Sequence, residues 1–310
     1  MNLPVRRVLV LALLALLSAF PLVLAQEKVE GGVAVAESAG SDQGLLWKIS
    51  SSTGTVHLFG SIHLASEEMY PLPEKVEAAF KGAEQLVVEV NVGPEQQAEL
   101  GQIMKAKGIY PAEESLTDHI SDEIEEQLTS YLEGAGMPAA TFNRFEPWLV
   151  ALTISVLELQ KLGLDPMLGI EQHFLAKAKG SKPIVELETA EDQLSLFDGL
   201  PAGLQQLMLK KTLLEIDRMA EEMEEMIDVW SRGDTAAMEV LIYESLEEAP
   251  ELAPVFEKLF TERNLTMADK IAGLLGTDSS YFVLVGAGHL VGDDGIVALL
   301  KEKEFSVERQ

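Results

Sequence analysis

One five-residue pattern, Gly-x-x-His-Leu, occurs twice in the chain, as GSIHL at 60–64 and as GAGHL at 286–290. Each copy follows a run of β-forming residues, TVHLF before the first and YFVLV before the second. Such runs, closed by glycine, read as strands. Gly60, Gly286 and Gly288 are expected to let the backbone bend tightly, or take positive φ, just before each histidine. Two of only five histidines therefore sit in the same local setting, one near each end of the chain. The reading is of two sheet-forming ends around whatever lies between them.

What lies between is helical. LLWKISS and TVHLFGSIH flank SSTG and read as a β-hairpin. LPEKVEAAFKGA follows as an amphipathic helix with Val76, Ala79 and Phe80 on one face, and QLVVEVN as a strand, which together suggest a βαβ unit with a parallel pair. Apolar residues then recur with the helical period through PEQQAELGQIMKAK, SDEIEEQLTSYLEG, EPWLVALTISVLELQKLG and IEQHFLAKAKG. After a strand, KPIVELE, the segment 200–230 reads as one long helix or a helix pair, with Met219, Met223, Met226 and Trp230 on one stripe. That stripe is core or, because methionine adapts to varied partners, a peptide-binding face. Near the end, YFVLVGAGHL is a strand and turn, DDGIVALLKEKE a helix capped by Asp293 or Asp294, and FSVER a last strand, giving a second βαβ unit. The fold class is α/β (α+β): a sheet core from N- and C-terminal βαβ units with a large helical insertion.

The N-terminus sets the expected location. Arg6 and Arg7, an apolar run, and Val23-Leu24-Ala25 before Gln26 make a secretory signal peptide cut near Ala25. Residues 26–43 are a Gly- and Ser-rich flexible lead-in, and 44–310 are expected to form a single domain. The mature form is then periplasmic or secreted and not membrane-spanning. A net charge of −28 repels nucleic acid and anionic membranes. With no cysteine, neither a disulfide nor a thiolate ligand or nucleophile is available.

The polar residues at the strand ends carry the chemistry. His63 and His289 follow their strands, Glu89 sits near the end of QLVVEVN, and Glu186 and Glu188 close KPIVELE. Ligands of open parallel sheets bind at the carboxyl ends of the strands, so these side chains are expected along one edge. Two histidines and a carboxylate can hold a divalent metal with open positions, or the histidines can be ordinary hydrogen-bonded turn residues. His173, two residues from Glu171, is a candidate for supporting a ligand. His57 reads as strand-packed or half-exposed and His119 as an exposed loop residue. Arg263 and Asn264, in FTERNLTMADKI, read by themselves as part of a surface ion pair.

The segments HLFGSIHLASEEMYPLPEKVEAAFKGAEQLVVEVN, PMLGIEQHFLAKAKGSKPIVELET, ERNLTMADKI and VLVGAGHLVGDDGIVALLKEKEFSVER occur in this order over about 45–308. In them the chain resembles the TraB/GumN family, related to the PrgY pheromone-shutdown proteins and the Tiki metalloproteases. The resemblance implies an α/β core of the erythromycin esterase (EreA) and ChaN kind, with helical insertions. It implies roles for two Gly-x-x-His motifs, a glutamate after the first and an arginine in a late helix, which fall here on His63, His289, Glu89 and Arg263. It also implies proteolysis supported by manganese or cobalt in Tiki members, and peptide sequestration or cleavage in PrgY-like ones. Glu171 stands where the family pattern has aspartate, and the mature form is expected to lack a C-terminal membrane segment like that of tethered relatives.

The expected function is an exported metal-dependent hydrolase acting on a peptide or protein substrate. His63, His289 and Glu89 would be ligands of a divalent metal ion (manganese, cobalt or zinc). Glu89 would be third ligand or general base, Arg263 a stabiliser of developing negative charge, and Glu171, His173 and Asn264 supporting or substrate-contacting residues. The alternative is a non-catalytic exported protein that sequesters peptides on the methionine stripe. Esterase or haem chemistry rests on fold analogy alone.

Overall fold

The computed structural model describes residues 44–248 and 250–310. The expected signal peptide and lead-in lie outside the described residues. The strands are β1 (Leu46–Ser50), β2 (Thr55–Ser61), β3 (Gln85–Val88), β4 (Ile184–Glu186), β5 (Ser280–Gly286) and β6 (Ser306–Arg309). They form one sheet in the order β4-β3-β5-β2-β1-β6. From β4 through β3 and β5 to β2 all pairings are parallel. β1 is antiparallel to both β2 and β6. The central strand β5 reads SYFVLVG and is buried from Tyr281 onward, as a strand covered on both faces requires. The edge strand β6 is polar and largely exposed, and the other edge, β4, is only three residues long, which blunts both against pairing with other chains.

The helices are α1 (Glu74–Gly82), α2 (Gln97–Gly108), α3 (Asp122–Gly134), α4 (Pro147–Lys161), α5 (Ile170–Ala178), α6 (Ala190–Asp198), α7 (Ala202–Glu215), α8 (Met219–Arg232), α9 (Thr235–Glu248), α10 (Ala253–Phe256), α11 (Glu262–Leu275) and α12 (Ile296–Glu302). A π-helical turn, Glu257–Thr261, runs straight into α11. The caps follow the sequence: Ser121 accepts from the Ile124 amide, and Thr189 and Asp192 form a reciprocal capping box before α6. α8 ends at Gly233 in the left-handed region, where glycine has no Cβ to clash.

One core surrounds the sheet. A second builds up among the inserted helices, where Ile124, Leu128 and Leu132 of α3 face Val150, Ala151 and Ile154 of α4 and Leu209 of α7. α4 is buried around most of its circumference and so carries almost no charge. Removing one such buried leucine or isoleucine costs about 2–5 kcal/mol.

Some expectations change, and others that were left open are decided. β2 and β3 are parallel but not neighbours, because β5 lies between them. β5 and β6 are likewise separated, by β2 and β1. Both terminal units are crossovers that leave room for strands from the other end of the chain. The 200–230 segment is two helices, broken at Ile216–Arg218. The methionine stripe is core: Met219, Met223, Met226 and Trp230 are all buried. Trp230 is fixed by its indole N–H, which donates to the Gly60 carbonyl at 2.8 Å. α12 begins after Gly295 with no side-chain cap, so neither Asp293 nor Asp294 caps it. Gly60, Gly286 and Gly288 do not take positive φ. They are small because their neighbours are close: a Cβ on Gly60 would stand 2.9 Å from Leu290 Cδ1.

Candidate active site

The parallel strands end side by side. Ser61 of β2 lies opposite Gly286 of β5, and Val88 of β3 opposite Leu284 of β5 and Glu186 of β4. The next residues leave the sheet at the same edge and carry His63, His289, Glu89 and Glu188. The first three are buried, at 5%, 0% and 1% exposure, as are Arg263 at 4% and Asn264 at 0%. Arg263 and Asn264 are therefore not surface residues, and α11 inserts them into the edge of the sheet.

His63 and Glu171 form a buried ion pair, with Nδ1 2.9 Å from Glu171 Oε1. The Ser61 hydroxyl donates to the same carboxylate oxygen. Burial alone lowers the pKa of His63, but the Glu171 charge and hydrogen bond and the Glu89 charge raise it further than burial lowers it. For Glu171 burial works upward, and His63 and Ser61 more than offset it, leaving the carboxylate below its usual range.

His289 lies in a 3₁₀ turn, Ala287–Leu290, beneath the ring of Phe260. Its Nδ1 is 2.6 Å from Asn264 Oδ1, and the Asn264 amide nitrogen donates to the Asp294 carbonyl at 2.9 Å. The asparagine is thus oriented with its oxygen toward the imidazole, which places the ring proton on Nδ1 and leaves Nε2 a bare lone pair. Burial, then the charges of Arg263 and His63, push the His289 pKa well below the usual histidine value, so the ring is neutral.

Glu89 accepts a hydrogen bond through Oε1 from the Gly286 amide at 2.5 Å. Its Oε2 accepts from Arg263 Nη2 at 2.7 Å and Gln193 Nε2 at 3.2 Å. Oε1 also lies 3.9 Å from His289 Nε2. Burial raises the Glu89 pKa more than Arg263 and His63 lower it, and Glu188 adds to the rise. Arg263 is committed elsewhere than to a substrate. Its Nε and Nη2 donate to Glu188 at 2.6–3.0 Å, its Nη2 to Glu89, and its Nη1 to the Leu259 carbonyl. In this arrangement it holds carboxylates and is not poised over a developing oxyanion.

Gly286 is the floor of the site. A Cβ there would meet His63 Nε2 at 3.2 Å, Glu89 Oε1 at 3.4 Å and His289 Cδ2 at 3.5 Å. The Nε2 atoms of both histidines are buried and have no hydrogen-bond partner. Two desolvated Nε2 atoms beside a carboxylate, a lone pair on His289 and, on ion-paired His63, a proton that a metal would displace, are costly without a partner. As donors they suit a divalent ion of the kind imidazole and carboxylate bind. Among the described residues no group of three or more His, Asp or Glu side chains is already arranged to hold one.

The other candidates lie elsewhere. His173 Nε2 is 2.8 Å from Glu77, and its ring stacks on Tyr70. Glu186 is exposed and accepts from the Asn91 amide. His119 is half-buried, stacked on Tyr110 and paired with Glu114. His57 points off β2, half-buried, with its Nδ1 lacking a partner. Sequence reasoning missed Ser61 and Gln193. Ser61 could have been suspected from its place inside GSIHL, whereas Gln193 lies in an ordinary amphipathic helix and carries no signal.

The protein is thus a mixed sheet with inserted helices that carries a buried pair of histidines flanked by carboxylates at its parallel strand ends. The chain belongs to the TraB/PrgY/gumN family, whose model matches residues 45–309. It is 29% identical to the uncharacterized protein YbaP of Escherichia coli, over 79% of this chain and 87% of that one. It is 20% identical to an uncharacterized protein of Treponema pallidum, over 84% of this chain and 81% of that one. It is 24% identical to a protein named metalloprotease TIKI homolog from Amphimedon queenslandica, over 85% of this chain and 61% of the relative. No solved structure matches the chain.

Proposed function

We propose that this protein is a metal-dependent hydrolase, a peptidase acting on exported or extracytoplasmic peptides. The observation that carries the reading is the pair of buried, unpartnered Nε2 atoms of His63 and His289 around Gly286, with Glu89 beside them. The similarity to proteins named metalloproteases supports it. His63 and His289 would hold the ion, and Glu89 would serve as third donor or base. A divalent cation supplies Lewis-acid polarisation and an acidified water.

The chain's own residues do the rest. Asn264 keeps the His289 proton on Nδ1, so its Nε2 faces the site as a base, and Glu171 beside His63 Nδ1 would hold a proton there once an ion displaces the one on Nε2. Glu89, with a raised pKa, takes a proton from water at Oε1 and returns it to a leaving amine. Glu188, Gln193 and Arg263 hold Glu89 in place. Phe260, packed against His289, keeps bulk water from that imidazole. The sequestering alternative loses the stripe as its binding face, because those side chains are core.

Export rests on residues 1–25. Among the described residues no helix is long and apolar enough to cross a membrane.

The test is bound metal in protein lacking the first 25 residues, stripped and reloaded with manganese, cobalt or zinc, beside a His63→Ala/His289→Ala variant. About one ion per chain in the parent and none in a folded variant supports the reading. No binding at micromolar metal by the parent removes it.

A further inference from the structure

Glu188 stands next to Glu89 because the sheet ladder continues past the ends of β3 and β4. The Leu187 amide donates to the Val88 carbonyl at 2.9 Å, and the Glu188 amide donates to the Glu89 carbonyl at 2.8 Å. Two carboxylates are thereby brought side by side in a buried place, which is unfavourable unless a cation lies between them. Arg263 is that cation. Lys270, two turns further along the same face of α11, is hydrogen-bonded to the Leu187 carbonyl and pins the end of β4.

Gln193 completes the arrangement. Its single Nε2 donates to Glu89 Oε2 at 3.2 Å and to Glu188 Oε2 at 3.1 Å. Arg263 Nη2 bridges the same two oxygens, at 2.7 and 2.6 Å. Glu89 is therefore gripped twice through Oε2, and Oε1 is left facing Gly286 and the imidazoles. Glu188 has a second effect. By engaging both Nε and Nη2 it shares the guanidinium charge, so Arg263 does not neutralise Glu89 outright. Glu188 and Gln193 act through Glu89, whose Oε2 Gln193 holds directly and Glu188 holds by way of Arg263.

We infer that Glu188 and Gln193 are positioning residues, which together fix Glu89 with Oε1 turned to the histidine pair and keep its charge available to a cation there. The inference rests on the metal reading for its purpose but not for its geometry. Partners at this remove from a metal typically change affinity about 10–100-fold.

The experiment is cobalt titration of the wild type, Glu188→Gln, Gln193→Leu and Glu188→Asp, read by the d–d absorption of the bound ion, with thermal unfolding as the check on folding. Crystal structures of metal-free wild type and Gln193→Leu accompany it. We expect Glu188→Gln and Gln193→Leu to bind cobalt about 10–100-fold more weakly with shifted bands, and Glu188→Asp, which keeps the charge, to recover most of the loss. Variants with the wild-type affinity and spectrum overturn the inference while the metal reading stands. If the wild type itself binds no cobalt, the metal reading falls and the crystal structures decide the rest. A Glu89 carboxylate turned away from the Gly286 amide in Gln193→Leu supports the positioning role, and an unmoved one overturns it. If Glu188→Gln does not fold, Gln193→Leu carries the same test.

Discussion

His289 Nδ1 stands 2.6 Å from Asn264 Oδ1, and that asparagine is itself held by the Asp294 carbonyl. One residue on α11 thus fixes the tautomer of a histidine on the turn after β5. Asn264→Leu frees the ring and leaves a buried donor unpaired. It should lower stability by about 1–3 kcal/mol and cobalt affinity about 10–100-fold. Chemical denaturation and cobalt titration measure the two separately, and unchanged affinity in a folded variant would count against the tautomer argument.

Gly286→Ala places a methyl group 3.2 Å from His63 Nε2 and 3.4 Å from Glu89 Oε1. Overpacking of this size costs about 1–3 kcal/mol, and it fills the space that an ion or water needs. The variant should fold with a modestly lower Tm and bind no metal. Metal binding at parental strength in Gly286→Ala would place the site elsewhere.

Glu77 gathers Lys177 and His173 at the surface end of α1. Burial raises its pKa, but the Lys177 and His173 hydrogen bonds lower it by more, so the folded value is depressed. A depressed carboxylate contributes stability above its unfolded pKa, about 4.3, and loses it as pH falls through the lower folded value. Glu77→Gln should therefore flatten the stability profile in that acid window and leave metal binding untouched. A profile that keeps its acid slope in the variant would show that Glu77 is not its source.

Trp230 joins α8 to β2 through the Gly60 carbonyl. Trp230→Phe keeps most of the apolar contact and removes the donor, leaving a buried carbonyl short of a partner. The expected loss is about 1–3 kcal/mol, read by urea unfolding. A loss near zero would mean that another donor takes over.

The strands, the helical insertion and the edge that gathers His63, Glu89, Glu188 and His289 were legible because strand runs and glycine-bounded turns are local signals. Strand order was not. Hydrophobic runs such as YFVLV mark burial on both faces, but not which strand lies alongside. Arg263 and Asn264 read as surface residues because charge is usually exposed. Only the fold shows that α11 carries two carboxylates' partner into the sheet edge. The glycines were noticed for the right positions and the wrong reason: close approach, not left-handed backbone, is what a side chain would violate there. Gln193 was invisible because it sits on a helix and its partners, Glu89 and Glu188, follow the ends of two strands.

β5 is made last among the parallel strands and lies between two that are made first. Until residues 280–286 emerge, β2 and β3 have no common neighbour, and His63 and Glu89 have no floor to meet over. The amino-terminal half therefore cannot close by itself into the histidine site. The non-local pairing also makes folding slow and late. A carboxy-terminal truncation should then release no partial activity; it should release an unfinished sheet.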